Sequence, residues 1–242
     1  MAEPQNTSPS SELGSGCEPL LISVDDVGQF LAVCARELVL GHTTDGHADL
    51  PFLANVGARH ARFTRRDSLR AGTVWWVEPL EGDGLTVNRS PLREPYALVP
   101  GDLLGLSDNL SMCFRCPDPA SQSALLVMQG AQECLGAQRI VLFAEGPGGR
   151  LRLGSGEQRL IQVPNLEAQL FLECEAQRLR IHCSEPGLSW SGGSGAQSIE
   201  LELPLKRREQ ISLGAAQAGR PPFSLGIATP APSGSAREPG PS

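Results

Sequence analysis

Residues 74–88 read VWWVEPLEGDGLTVN. The stretch opens on Val, Trp, Trp and Val, which favour a pleated strand, and then breaks at Pro79 and at a Gly/Asp cluster before Leu-Thr-Val resumes. That is a strand, a turn and a second strand within fifteen residues. The same rhythm runs outward in both directions. LLISV (20–24), ELVLG (37–41), DLLGL (102–106), LLVM (125–128) and RIVLF (139–143) are short apolar runs bounded by Gly, Pro, Asp or Asn. Only residues 29–36 and 121–135 could pass for helices, and neither sustains a 3.6-residue period between two caps. Strands at this spacing predict an all-β sandwich or barrel.

The chain also repeats itself in order. LLISV followed by ELVLG is answered by LLVM, RIVLF and LRLG (151–154). ADLPFLAN (48–55) is answered by LIQVPNLEA (160–168), VWWVEP by RLRIHC (178–183), and YALVPGDLLGL (96–106) by LPLKRREQISLG (203–214). A kept order is more telling than any one match. It predicts two tandem β-sandwich domains, 19–117 and 118–228, joined near the Pro/Ser-rich CPDPASQS (116–123). Residues 1–18 and 229–242 are rich in Ser, Pro, Glu and Gly and are expected to be disordered tails.

Bulk properties narrow the function. The chain has 242 residues, 40% of them hydrophobic, and a formal net charge of -7. The basic patches at 59–70 and 206–208 sit in an acidic background, so no nucleic-acid partner is expected. No apolar run approaches the ~20 residues of a membrane helix, and residues 1–16 lack a signal-peptide pattern. The expectation is a cytoplasmic protein with no membrane partner. In that setting the seven cysteines are not expected to build a disulfide framework. Cys113 and Cys116 form a Cys-x-x-Cys without a second pair at zinc-site spacing, so no metal is expected there.

Three blocks of the first half together resemble the forkhead-associated (FHA) family. LGHTTDGHADLPFLANVGARHARF (40–63) is similar to its Gly-Arg…Asp-Ile…Ser-Arg-x-His-Ala run. VWWVEPLEGDGLTVN is similar to its Trp…Asn-Gly…Val-Asn segment, and LVPGDLLGL (98–106) to its Leu-x-x-Gly-Asp-x-Ile ending. The second half resembles the family only through the repeat. The resemblance implies an FHA/SMAD-like β-sandwich whose loops at one end bind phosphothreonine peptides. An Arg, a Ser hydroxyl and backbone N–H groups would hold the phosphate, and an Asn the peptide main chain.

Scaffold positions match: Gly41, His60, Gly84, Gly101 and Asp102. Ligand positions depart. His42 stands where the family has Arg, Gly57 where it has Ser, Ala58 where it has Arg, and Asp83 where it has Asn; Arg59 follows Ala58. A carboxylate at position 83 would repel a phosphate by roughly 1–4 kcal/mol at about 4 Å. The expected function is therefore a non-enzymatic interaction scaffold in kinase-linked signalling or assembly, with phosphate-independent binding at His42, Gly57, Ala58, Arg59 and Asp83. Phe52 and Leu53 would add apolar contact area. The expected partner is a protein or peptide, such as a kinase substrate, and no cofactor is expected. Two alternatives stand beside this: a working phosphothreonine reader using His42 and Arg59, and a small metal-dependent enzyme around His42, Asp45, His47 and Asp49. Motifs of other enzymes are missing. The glycine clusters 145–156 and 191–195 lack a Gly-Lys-Ser/Thr ending and are expected to be hairpin turns.

Overall fold

The computed structural model describes residues 18–43, 48–68, 72–81, 84–118, 122–144, 149–164, 166, 169–175, 178–183, 188–190, 198–203, 213–215 and 224–230. Both expected tails lie largely outside these residues. So do 145–148 and 191–197, with most of the two glycine clusters.

The protein is all-β, and no helix occurs among the described residues. In the first half, β1 (Leu20–Val24) and β2 (Gly28–Cys34) form a hairpin, followed by β3 (Glu37–His42) and β4 (Leu50–Phe52). A second hairpin, β5 (Ala61–Ser68) and β6 (Gly72–Pro79), leads to the short strands β7 (Thr86–Val87), β8 (Ser90–Pro91) and β9 (Tyr96–Ala97). The hairpin of β10 (Leu103–Ser107) and β11 (Leu110–Arg115) closes this half. In the second half come β12 (Ala124–Gln129), β13 (Arg139–Phe143), β14 (Arg150–Gly154), β15 (Ile161–Gln162), β16 (Leu170–Glu175) and β17 (Arg178–Cys183). They are followed by β18 (Leu188–Trp190), β19 (Ser198–Glu202), β20 (Leu213–Ala215) and β21 (Leu225–Ala228).

Three sheets result. One five-stranded sheet has the order β4-β3-β5-β6-β9 and another the order β15-β14-β16-β17-β19. An eleven-stranded sheet, β18-β20-β21-β1-β2-β13-β12-β11-β10-β7-β8, joins the halves. Its order is nearly the same read outward from its middle: β13, β12, β11, β10, β7 one way and β2, β1, β21, β20, β18 the other. At the middle, β2 and β13 pair in parallel, Leu31 opposite Ile140 and Cys34 opposite Phe143. In these orders β1, β2 and β3 hold the places that β12, β13 and β14 hold in the second half.

One hydrophobic core lies on each face of the large sheet. The first holds Leu38, Leu40, Phe52, Phe63, Trp75, Val77, Leu104 and Phe114, closed by Leu31 and Val33 of β2 and by Leu126, Met128, Ile140 and Leu142 of β12 and β13. The second holds Leu151, Leu153, Leu170, Leu172, Leu179 and Ile181, closed by Ile22, Phe30, Ala32, Val141, Phe143 and Ile227. Successive side chains of a strand point to opposite faces, so β2 and β13 serve both cores at once. The division expected between residues 117 and 118 runs between β11 and β12. These are hydrogen-bonded neighbours, with Ser111 opposite Gln129 and Arg115 opposite Leu125. The β12–β13 hairpin walls the first core and the β1–β2 hairpin the second. Beside that division, Arg152 Nη1 meets Asp118 Oδ2 at 2.9 Å.

The adjacent tryptophans divide as a strand requires. Trp75 is buried in the first core. Trp76 faces outward under the Arg66 guanidinium, 4.6 Å from the ring centroid. Its cover is therefore a side chain of the neighbouring strand. The expectation about cysteines is corrected too. Cys174 is disulfide-bonded, while Cys113, Cys116 and Cys134 are free thiols.

Candidate functional site

The first half brings three connections together at one end: those after β3, before β5 and after β6. Their convergence starts from Gly41. A Cβ there would lie 1.9 Å from the Ala58 carbonyl oxygen, so only glycine lets the two backbones meet. One residue on, the His42 N–H donates to the Gly57 carbonyl at 3.0 Å.

His60 supports this turn from below. Its own N–H donates to the Leu40 carbonyl at 2.8 Å, and its carbonyl accepts the Leu80 N–H at 3.0 Å. Its buried ring accepts the Gly57 N–H at Nδ1, 3.4 Å away. Nε2 has no hydrogen-bond partner among the described residues, and the Leu106 and Glu81 carbonyls lie near the ring. Those carbonyls favour the charged ring, but burial outweighs them and lowers the His60 pKa. The neutral imidazole is the form that can accept from Gly57.

A side chain that sequence reasoning missed completes the arrangement. Glu81 Oε2 accepts the Arg59 backbone N–H at 3.3 Å. A Cβ on Gly57 would lie 3.0 Å from the Glu81 carbonyl oxygen. Glu81 therefore lines the space where a larger residue at position 57 would project, and its carboxylate meets a backbone donor of the turn. Glu81 sits in a Gly/Asp/Glu cluster that reads as an ordinary polar turn, so only the folded contact reveals it. Of the expected residues, His42, Gly57, Ala58 and Arg59 are brought together; Asp83 lies outside the described residues.

Of the scaffold positions, Gly41 and His60 belong to this end, while Gly101 and Asp102 stand apart from it. Gly101, with φ 99°, turns the chain before β10 and donates its N–H to the Phe114 carbonyl at 2.8 Å. Asp102 is buried, and Asn88 Nδ2 and the Val99 N–H each donate to its carboxylate at 2.8 Å. Gly84, with φ 127°, lies at the described edge of the β6–β7 connection. Phe52 belongs to the core rather than to a contact surface, because β4 points it inward. Leu53, next in the chain, is 78% exposed.

Of the possible metal-binding set, Asp49 serves the fold. Its Oδ2 accepts the Val39 N–H at 2.7 Å and pins β3 to the connection before β4. Asp45 and His47 lie outside the described residues. Cys113 lies in β11 and Cys116 just beyond it, where the Cys116 thiol reaches the Ser123 carbonyl at 3.6 Å.

No protein-family model matches the chain, and no curated protein matches it. Among solved structures, six chains match. One is the Slr1951 protein from Synechocystis sp., 17% identical over 40% of this chain and 96% of that one, with a TM-score of 0.31. A likeness at that level carries no argument about function.

Proposed function

We propose that the chain is a non-enzymatic protein-interaction scaffold of two FHA-like units, whose first loop end binds a partner without requiring phosphate. The observation that carries this reading is the Glu81 carboxylate on the Arg59 N–H. In an anion pocket that N–H would be a donor for the ligand, and here an internal carboxylate takes it. Glu81, with Asp83 two residues further along the chain, makes this connection acidic, which disfavours a phosphate and favours an unphosphorylated or basic segment. Exposed Leu53 supplies apolar area beside it.

The proposal places the protein in cytoplasmic, kinase-linked signalling or assembly. In that compartment the Cys174 disulfide would be redox-labile rather than permanent. Among the described residues no helix is long and apolar enough to cross a membrane.

The test is titration of the full chain with phosphothreonine peptides and their unmodified versions. The parent is expected to bind both forms alike. A variant carrying His42→Arg, Gly57→Ser, Glu81→Gln and Asp83→Asn is expected to gain phosphate preference. Phosphate-dependent micromolar binding by the parent, lost in His42→Ala, would instead make it a working phosphothreonine reader.

A further inference from the structure

A second surface lies away from that loop end. Near the C-terminal end of β10, the Leu106 carbonyl lies by His60 at the loop end. At the opposite end of the β10–β11 hairpin, Pro100 and Arg115 border a cleft of about 740 Å³. The size is that of an ordinary ligand site. Its floor is the face of the large sheet that looks toward the second core, just beyond the cover of the second five-stranded sheet. Leu125 and Val127 of β12 form the apolar part of that floor. Arg115 stands opposite Leu125 in the sheet, and Arg139 opposite Val127. Arg159, from the connection between β14 and β15, faces them from the wall.

Three arginines thus line an apolar strip, with Asp26 the one acidic residue among the described residues of the lining. They are not equivalent. Arg139 is committed to structure: its Nη1 donates to the Val27 carbonyl at 2.7 Å and its guanidinium lies 5.1 Å from the Phe30 ring centroid. It holds the β1–β2 turn at the cleft edge. Arg115 and Arg159 make no ion pair among the described residues. On a chain of net charge -7, two arginines without an ion pair among the described residues, beside an aliphatic floor, are a local reversal of sign. Val99, next to Pro100, is one of two large hydrophobics left exposed among the described residues.

We infer that this cleft is a docking site for an extended, unphosphorylated acidic peptide segment. Its Asp or Glu carboxylates would pair with Arg115 and Arg159, and an aliphatic side chain would lie on Leu125 and Val127. An arginine matches a carboxylate through two parallel N–H donors, and an apolar floor excludes the water that weakens such pairs. Carboxylate is favoured over phosphate because the described residues of the lining include no Ser or Thr hydroxyl and no glycine turn to satisfy a third anionic oxygen. The site is independent of the loop end proposed above and opposite to it in sign.

The test is selection of a displayed library of random unphosphorylated decapeptides on the full chain, followed by titration of the enriched peptides. Peptides rich in Asp or Glu and carrying Leu, Ile or Val are expected. Their affinity should fall about tenfold in Arg115→Gln/Arg159→Gln, and further in Arg115→Glu/Arg159→Glu. It should also fall as salt rises from about 50 to about 500 mM, and stay unchanged in Glu81→Gln. Both arginines lie at the cleft surface, so the variants should keep the parent's melting curve. No enrichment, enrichment of basic peptides, or binding that survives the Arg115→Glu/Arg159→Glu change would overturn the inference. Peptides lost in Glu81→Gln but not in the arginine variants would also overturn it, while leaving the loop-end proposal standing.

Discussion

Asn88 Nδ2 donates to Asp102 Oδ1 at 2.8 Å, while Asn88 Oδ1 accepts the Leu103 N–H at 3.0 Å. One amide side chain thereby ties the end of β7 to the turn that starts β10. Asn88 also adopts φ 52°, a left-handed conformation that asparagine tolerates better than most residues. Asn88→Ala should cost about 1–3 kcal/mol in denaturant unfolding, because buried Asp102 then loses a donor. Asp102→Ala should cost a similar amount. The double variant should be less destabilised than the sum by more than about 0.5 kcal/mol. Additive losses would mean the two residues act separately.

The shared sheet predicts how the chain behaves when cut. A fragment of residues 19–117 lacks Leu126, Met128, Ile140 and Leu142 from its core. A fragment of residues 118–228 lacks Ile22, Phe30 and Ala32 from the other. Neither is expected to melt cooperatively by circular dichroism, and mixing them should restore a transition. Either fragment melting near the parent's temperature would show that the half folds without the exchanged hairpin.

The tryptophans should respond unequally. Trp75 is 2% exposed, and Trp75→Ala opens a large core cavity, costing about 3–5 kcal/mol. Trp76→Ala removes a cation–π contact at a half-buried site, worth about 0.5–1 kcal/mol. Equal melting temperatures for both variants would contradict the inward and outward assignment.

His60 should make stability depend on pH. Its folded-state pKa lies below the ordinary 6.5, so below that pH the unfolded chain binds the extra proton first. Its contribution is present in full above 6.5 and is lost as pH falls toward the folded value. Urea unfolding at about pH 7.5 and about pH 5.5 should show lower stability at the acid value. His60→Asn can still accept the Gly57 N–H without titrating, so it should narrow that difference. An unchanged pH dependence in the variant would assign it to other groups.

The all-β class follows from local sequence, because strand-forming runs between Gly, Pro and Asp leave no segment able to close a capped helix. The matching strand rhythm of the two halves was legible for the same reason: it is written residue by residue. The two segments that could pass for helices, 29–36 and 121–135, carry β2 and β12, whose apolar side chains do not alternate with polar ones. Such runs mark strands buried on both faces, and length alone separates them poorly from a buried helix. What covers those faces is a long-range matter. Local sequence could not say that β2 would lie against β13, or that each half's core would be closed by the other's hairpin. The same limit applies to the sites. Gly41, Gly57 and His60 could be picked out by pattern. Glu81 on the Arg59 N–H, and Arg115 facing Arg159 across the cleft, exist only because tertiary packing brings together residues far apart in the chain.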